Sequence, residues 1–255
     1  MKVFIDFLYN FGILVAICII SGFLTQKFES HRKNTIFQGL IFGFASIVGM
    51  INPVVVAKGL IFDGRSIMIS LSGVFFGPIA SIISGSMAII LRLYQGGVGA
   101  RMGVSVIIWS AIAGSIFYIL NKKNKLSITL PIIYLFGIVV HIGMLILTAF
   151  LPYAIILSTL KTIGVPVIVV YPIVTLLIGK VLLDINIQVK NKHRLKDREL
   201  QIKNISNNLQ MGLIYQVVIL KDGTKKFTYL SDGVKNLHDL SAEDVLKNPE
   251  LMYNT

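Results

Sequence analysis

The stretch that decides the fold runs from Asp63 to Gly99 and reads DGRSIMISLSGVFFGPIASIISGSMAIILRLYQGGVG. It is an apolar segment long enough to cross a bilayer, with Asp63 and Arg65 at one end and Arg92 near the other. Small residues recur along it at every fourth position, at Gly73, Gly77, Ser81 and Gly85. Such a repeat flattens one face of a helix, so that a neighbouring helix can approach closely within lipid. We therefore predict that this segment lies at the centre of a helical bundle and that the four small residues serve helix packing.

The composition of the whole chain is typical of a multi-pass membrane protein. Of its 255 residues, 55% are hydrophobic and only 14% are charged, and the mean hydropathy is +0.78. Lipid offers backbone amides no partner, so each long apolar segment is expected to be helical. The predicted fold is an α-helical membrane bundle of about six transmembrane helices. Its segments are Phe4–Leu24, Phe37–Val56, Ile67–Leu93, Gly103–Leu120, Ile128–Phe150 and Ile163–Leu183.

Basic residues set the expected orientation in the membrane. Lys122, Lys123 and Lys125 crowd the link between the fourth and fifth segments, and a dense basic stretch begins at Lys190. Because such residues mark cytoplasmic loops, we expect both regions on the cytoplasmic side of the membrane. The formal net charge of +12 then indicates contact with membrane lipids and not with nucleic acid. The basic loop after the first segment conflicts with six spans, and five spans with one re-entrant or interfacial segment is the alternative.

The composition changes along the chain and predicts three regions. Residues 1–183 form the membrane domain, and residues 184–210 are polar, basic and free of proline and glycine. In this second region Leu195, Ile202 and Leu209 repeat every seven residues, which is typical of a helix that pairs with a second copy. We therefore expect a juxtamembrane signalling helix in a homodimer, and a solvated amphipathic linker is the alternative.

The third region, residues 211–255, has the alternating pattern of strands followed by helix signals. Asp222 and Gly223 separate two strand-like runs, as in a hairpin, and Ser241 precedes acidic residues as a helix cap does. About forty residues are too few to enclose a core of their own. We therefore expect this α/β tail to be incomplete, through truncation or degeneration.

The first candidate site is the charged end of the opening stretch. Arg92 ends an apolar run and is followed at once by a turn that contains Gly96 and Gly97. This combination can present a guanidinium and backbone N–H groups to an anionic or peptide-like ligand, although tight packing explains the glycines equally well. Asp63 and Arg65 are further candidates for ligand sensing or coupling, and an anchor at the membrane interface is the alternative role of Arg65.

The second candidate is His141, in the middle of the fifth segment. Ionisable residues at such depth face the bundle interior and are functional candidates. The alternative is a neutral imidazole bonded to a backbone carbonyl or to a hydroxyl group of another helix. No second histidine or carboxylate lies at ligand spacing, so we predict no metal site and no cofactor. Nucleotide loops, nucleophile elbows and paired intramembrane carboxylates are missing from the sequence, and we assign no catalytic residues.

Three motifs resemble those of a known family. They are D-x-R at Asp63 to Arg65, GVFFGP at Gly73 to Pro78, and RLYQGG at Arg92 to Gly97. Together they resemble the LytS/YhcK-type 5TM receptor membrane domain of bacterial sensors, over roughly residues 37–183. The resemblance implies the input region of a two-component sensor histidine kinase, or alternatively of a diguanylate cyclase. Its stimulus would be an unknown small ligand or a membrane signal.

The tail from Asn204 to Thr255 is similar to the start of a PAS domain. The similarity rests on FTYLSDGV at Phe227 to Val234 and on SAEDV at Ser241 to Val245. It implies that the sixth helix relays the signal to a cytoplasmic PAS module and then to an output domain or response regulator. A different class is a small-solute carrier like the substrate-binding subunit of a vitamin importer, which also packs six glycine-rich helices.

Overall fold

A computed structural model describes residues 12, 14–22, 31–51, 53–57, 60–207, 212–221, 223 and 225–252. The chain divides into two compact units, Met1–Val189 and Lys190–Thr255. The first unit is mostly helical, with one short hairpin, and the second combines the end of a long helix with a hairpin and short helices. Leu209, Asp222 and the basic loop after the first segment, which the sequence predictions used, lie outside the described residues, as does most of the predicted first segment, Phe4–Leu24.

Long apolar helices dominate the first unit. Helix α1 comprises the described helical residues 14–22, and it is followed by α2 (His31–Ile51), α3 (Arg65–Phe76), α4 (Pro78–Gln95), α5 (Ala100–Lys122), α6 (Leu130–Ile146) and α7 (Tyr153–Asn207). Among the described residues, five helices are long and apolar enough to cross a membrane, namely α2, α4, α5, α6 extended to Phe150, and α7. The expected multi-pass helical membrane bundle is confirmed at this level.

The opening stretch is not one membrane-spanning helix, as the sequence predicted, but two. Helix α3 ends at Phe76, and Gly77 adopts φ +90° before Pro78 begins α4. A positive φ is open to glycine at little cost, and proline suits the first position of a helix. At 12 residues, α3 is only about 18 Å long, well short of the roughly 30 Å hydrocarbon core. All of its residues are buried, so α3 is a central helix enclosed by its neighbours.

The second predicted segment, Phe37–Val56, also ends earlier than expected. Helix α2 stops at Ile51, and an antiparallel hairpin follows, formed by β1 (Val54–Ala57) and β2 (Leu60–Phe62). Pro53 lies at the boundary, and a proline disfavours helical geometry in the residue before it. The hairpin leads directly into Asp63 and α3, so it positions the first candidate residues.

Helix α7 is longer than the predicted sixth segment, Ile163–Leu183. It begins at Tyr153 and continues to Asn207, through both Pro166 and Pro172. The residues before Ile163 lie outside the predicted segment, yet most of them are apolar and they form the first turns of this helix. The helix passes Pro172 beside α6, where a Cβ on Gly137 would lie 3.1 Å from the Pro172 Cα.

The small-residue repeat spans the break between α3 and α4, yet all four residues face α5. A Cβ on Gly73 would lie 2.8 Å from the Gly114 carbonyl carbon, and one on Gly77 would lie 3.1 Å from the Tyr118 ring. The Ser81 hydroxyl bonds that of Ser115 at 2.9 Å, and Gly85 faces Ile107 at 3.5 Å. The repeat thus brings two short helices onto one long neighbour.

We expect Gly114→Ala to destabilise the bundle by about 2 kcal/mol or more, because overpacking has such costs. A Cβ at this position would clash with the carbonyl oxygen of Ser70 on α3, and backbone cannot move aside as a side chain can. Gly164→Ala is the matched control, since nothing lies within 4 Å of its Cβ position and alanine favours a helix. Unfolding titrations of both variants test this, and equal stability of the two would contradict the close α3–α5 approach.

The second unit contains the strands and short helices of the tail. Strands β3 (Tyr215–Ile219) and β4 (Lys225–Leu230) form an antiparallel hairpin, followed by α8 (Gly233–His238) and α9 (Ala242–Lys247). Ser241 caps α9 as predicted, because its hydroxyl oxygen accepts hydrogen bonds from the N–H groups of Glu243 and Asp244. The small core of this unit consists of Phe227, Leu230, Val234 and Val245. Two strands are too few to establish a PAS fold.

Candidate functional site

The start of α3 holds a buried ion pair. Asp63 and Arg65 are only 5% and 7% exposed, and the Arg65 Nη1 lies 3.3 Å from the Asp63 Oδ2. The Arg65 backbone N–H also donates a 3.0 Å hydrogen bond to the Asp63 Oδ1. Among the described residues, neither the Asp63 Oδ2 nor the Arg65 Nη1 has a well-directed hydrogen bond. This pair is therefore an ionic contact with unused hydrogen-bonding capacity.

Arg92, in the last turn of α4, lies at the same place. It is 2% exposed and lies within the range of charge–charge effects from both Asp63 and Arg65, without a direct bond to either in the described structure. Its Nη1 donates a 3.2 Å hydrogen bond to the carbonyl oxygen of Gly96, which terminates α4 with φ +59°. The Arg92 Nε has no hydrogen-bond partner among the described residues. An alanine at Gly103 would bring its Cβ within 2.5 Å of that Nε, so the missing side chain leaves room for the guanidinium.

His141 joins the opposite side of this cluster. Its Nδ1 lies 2.6 Å from the carbonyl oxygen of Gly137, and its Nε2 lies 3.3 Å from the hydroxyl of Ser66 on α3. A neutral imidazole fits both contacts, with Nδ1 as the donor and Nε2 as the acceptor from Ser66. The contacts match the alternative that the sequence left open for His141, namely a neutral imidazole bonded to a backbone carbonyl or to a hydroxyl group of another helix. His141 therefore ties α6 to α3 next to the charged residues.

Tyr171 connects the cluster to α7. Its side chain is completely buried, its hydroxyl donates a 3.3 Å hydrogen bond to the Asp63 carbonyl oxygen, and its ring packs edge-on against His141 at 5.0 Å between centroids. One turn later in α7, the Thr175 hydroxyl donates a 2.8 Å hydrogen bond to the Tyr171 carbonyl oxygen. The longest helix of the molecule is thus in direct contact with the backbone of Asp63.

Among the described residues, the charges of this cluster do not balance. Asp63 is the last acidic residue before Asp184, so no other carboxylate of the intervening helices can face the two arginines. Arginine stays protonated in proteins, and with an ionised Asp63 the cluster carries one net positive charge. Buried charges are costly unless they are paired. The arrangement can therefore hold an anion of one negative charge against Arg65 and Arg92.

The cluster collects most of the residues singled out from the sequence. The residues that lie together are Asp63, Arg65, Arg92, Gly96 and His141. Gly97, with φ +85°, forms the exposed part of the turn. The described hydrogen bonds include none between Gly97 and a charged side chain. Sequence reasoning missed Ser66, Gly103 and Tyr171. The sequence did hold a signal for Tyr171, because a side chain with a hydroxyl group stands inside an apolar run there. Nothing in the sequence pointed to Gly103.

Metal-binding groups are scarce in this region. Within the described ranges no three histidine, cysteine, aspartate or glutamate residues gather in a way that could hold a metal ion. Cys18 is buried and unpaired. The chemistry of the site is therefore that of guanidinium, carboxylate, hydroxyl and imidazole groups.

Comparison with known proteins identifies the membrane unit. The family 5TM-5TMR_LYT, described as the 5TMR of 5TMR-LYT, matches residues 17–185, about two thirds of the 255-residue chain. No curated protein and no solved structure matches the chain. The match encloses α2 to α6, the buried cluster and the first half of α7. The chain therefore belongs to the 5TM-5TMR_LYT family, whose five-helix domain is the membrane sensory domain of LytS-type signalling proteins.

Proposed function

We propose that this chain is the signal-input region of a bacterial two-component sensor histidine kinase and that its membrane unit detects a small anion. The observation that carries the proposal is the uncompensated charge of the described cluster, in which Arg65 pairs with Asp63 and Arg92 lies within the range of its charge. The Arg92 Nε is a buried donor without a described partner. An anionic ligand would supply both the missing charge and the missing acceptor.

Helix α7 is the proposed transmitter. Tyr171 touches the Asp63 backbone, and the same helix continues to Asn207 without a break. A ligand that rearranges Asp63 and Arg65 would change the contacts of Tyr171 and shift the balance between two positions of α7. The size of that shift is limited by the difference in ligand affinity between the two states.

The remaining parts of the proposal concern the assembly. Leu195, Ile202 and Ile205 are exposed on α7, at 60%, 58% and 64%, which supports pairing with a second copy in a homodimer. The basic residues around them support a cytoplasmic location for the tail of a protein in the bacterial cell membrane. The tail would act as the start of a PAS module that passes the signal to an output domain or response regulator.

Thermal unfolding of the purified chain in detergent tests anion sensing. Acetate, succinate and inorganic phosphate would be titrated at constant ionic strength, with acetamide as the uncharged analogue of acetate. A bound anion stabilises the folded state by roughly 2.7 kcal/mol at 100 times its Kd, so at least one anion is expected to raise the midpoint. Midpoints that no anion raises beyond acetamide would contradict the proposal.

Tyr171→Phe is expected to weaken signal transfer while leaving the anion-induced stabilisation intact. The change removes only the hydroxyl that bonds the Asp63 carbonyl and keeps the ring against His141. Tyr153→Phe, on a 93% exposed residue of the same helix, is the matched control. A chimera with a reporter kinase measures the response, and full signalling by Tyr171→Phe would show that this bond does not couple the site to α7.

A further inference from the structure

An apolar groove runs between α5 and α6, away from the charged cluster. It encloses about 420 Å³ and is lined only by hydrophobic side chains, among them Ala113, Ile116, Leu120, Leu126 and Leu135. Its aromatic wall is the pair of Phe117 and Phe136, whose rings meet edge-on at 5.1 Å. This volume falls within the roughly 300–1,000 Å³ of small-molecule sites, but the lining offers no polar group to a polar ligand.

Trp109 closes one end of the groove. Its indole N–H donates a 3.0 Å hydrogen bond to the carbonyl oxygen of Val140 and so links α5 to α6. The ring lies against Gly143, where any Cβ would clash with it. Beyond the indole a second apolar space of about 340 Å³ continues between the same helices. Trp109 therefore stands between the two spaces, in the middle of α5.

The length of the groove matches one leaflet of a bilayer. Trp109 and Leu120 are eleven positions apart on α5, a rise of about 16 Å, and half of the hydrocarbon core is about 15 Å. A residue just beyond Leu120 thus lies at the depth of the lipid headgroups when Trp109 lies near the bilayer centre.

Three exposed lysines occupy that depth. Lys122, Lys123 and Lys125 lie in the turn between Leu120 and Leu126, both of which line the groove. The turn is fixed to the groove end by a 2.9 Å bond from the Lys125 N–H to the Leu120 carbonyl. A second bond of 2.7 Å runs from the Asn121 amide to the Leu126 carbonyl. The chain has no acidic residue between Asp63 and Asp184, so no neighbouring carboxylate of these helices neutralises the lysines.

We propose that the α5–α6 groove is a binding site for one anionic phospholipid. An acyl chain fills the groove from Leu126 to Trp109, and the headgroup phosphate contacts Lys122, Lys123 and Lys125. An apolar slot of leaflet depth that ends in three unneutralised cations fits a phosphate diester on an acyl chain, as basic pockets between membrane helices do. A zwitterionic lipid would fill the slot equally well but would leave the lysines without a net counter-charge.

The single tryptophan of the chain is Trp109, and it reports directly on the groove. The full chain would be reconstituted in vesicles of phosphatidylcholine that contain brominated phosphatidylglycerol or brominated phosphatidylcholine at equal mole fraction. Bromine on an acyl chain quenches a tryptophan that it touches. We expect phosphatidylglycerol to quench Trp109 with a relative affinity at least about tenfold higher, since each of the three lysines attracts the anionic headgroup.

Two variants and one control decide the matter. The triple variant K122Q/K123Q/K125Q is expected to lose the preference for phosphatidylglycerol, to within about twofold of phosphatidylcholine. The control triple K190Q/K192Q/K196Q keeps it, and Ala113→Leu, which fills the groove but retains the lysines, reduces it. Equal quenching by the two lipids in the unaltered chain, or an unchanged preference in the first triple variant, would overturn the proposal. An unchanged preference in Ala113→Leu would equally overturn it, because the acyl chain would then lie elsewhere.

Discussion

Asp63→Ala is expected to destabilise the membrane unit by about 3–5 kcal/mol, the usual cost of leaving a buried charge without its partner. The substitution would leave Arg65 and Arg92 buried in the bundle interior, at 7% and 2% exposure, without the carboxylate that pairs with Arg65 and attracts Arg92. Arginine cannot relieve the repulsion by losing its proton. Unfolding titrations in mixed micelles would measure the loss.

Asp184→Ala is the matched control for this effect. Asp184 also forms an ion pair, with Lys180 at 2.6 Å, but both side chains are about half exposed. Exposed pairs of this spacing contribute only about 0.3–0.5 kcal/mol. The double variant Asp63→Ala/Arg92→Met should recover much of the lost stability, because it removes one of the two unpaired cations. An Asp63→Ala protein as stable as Asp184→Ala would contradict the charge argument.

Arg92→Met is expected to abolish the anion response while the ligand-free protein remains at least as stable as the original. Methionine is apolar and of similar length, and it removes the excess positive charge of the cluster. Replacing buried ionic groups by apolar ones is often neutral or stabilising. Anion affinity should fall by about a hundredfold, since charge-assisted hydrogen bonds and the paired charge are both lost. The thermal titration and the reporter chimera measure the two effects separately.

Two further variants distinguish this role from a structural one. Arg92→Lys keeps the charge but not the guanidinium donors, so it should retain part of the anion affinity. Arg101→Met changes an exposed arginine at the start of α5 and is expected to leave the response unaffected. If Arg92→Met responds to anions like the unaltered chain, Arg92 does not bind the ligand.

The membrane spans were largely predictable from hydropathy, because lipid imposes helical structure on any long apolar segment. The errors occurred at Gly77 and Pro78, and at Pro53, where local backbone preferences end a helix inside an apolar run. At Pro166 and Pro172 the predicted segment Ile163–Leu183 was continuous, and α7 does run through both prolines. Neighbouring helices can re-satisfy the backbone groups that a proline frees in a membrane helix, and a single sequence does not reveal that support.

The candidate site could be predicted from the sequence only in part. Asp63, Arg65, Arg92 and His141 stand out because charge inside apolar sequence is costly. Their assembly depends on contacts between residues far apart in the chain, such as that from Tyr171 to Asp63. The sequence does not reveal such partners, because a tyrosine or glycine in an apolar segment can serve helix packing alone as well as a site.

The sequence by itself determined that this protein is a helical membrane protein and which side chains are too polar for their surroundings. Both follow from the free energy of transferring single chemical groups from water to lipid, which depends on the residue type and not on the tertiary structure. Tertiary structure decided that the Asp63–Gly99 stretch folds into a buried short helix and a spanning helix, both packed on α5. It also decided that Asp63, Arg65 and Arg92 share one unbalanced site, because charge balance depends on which groups meet in space.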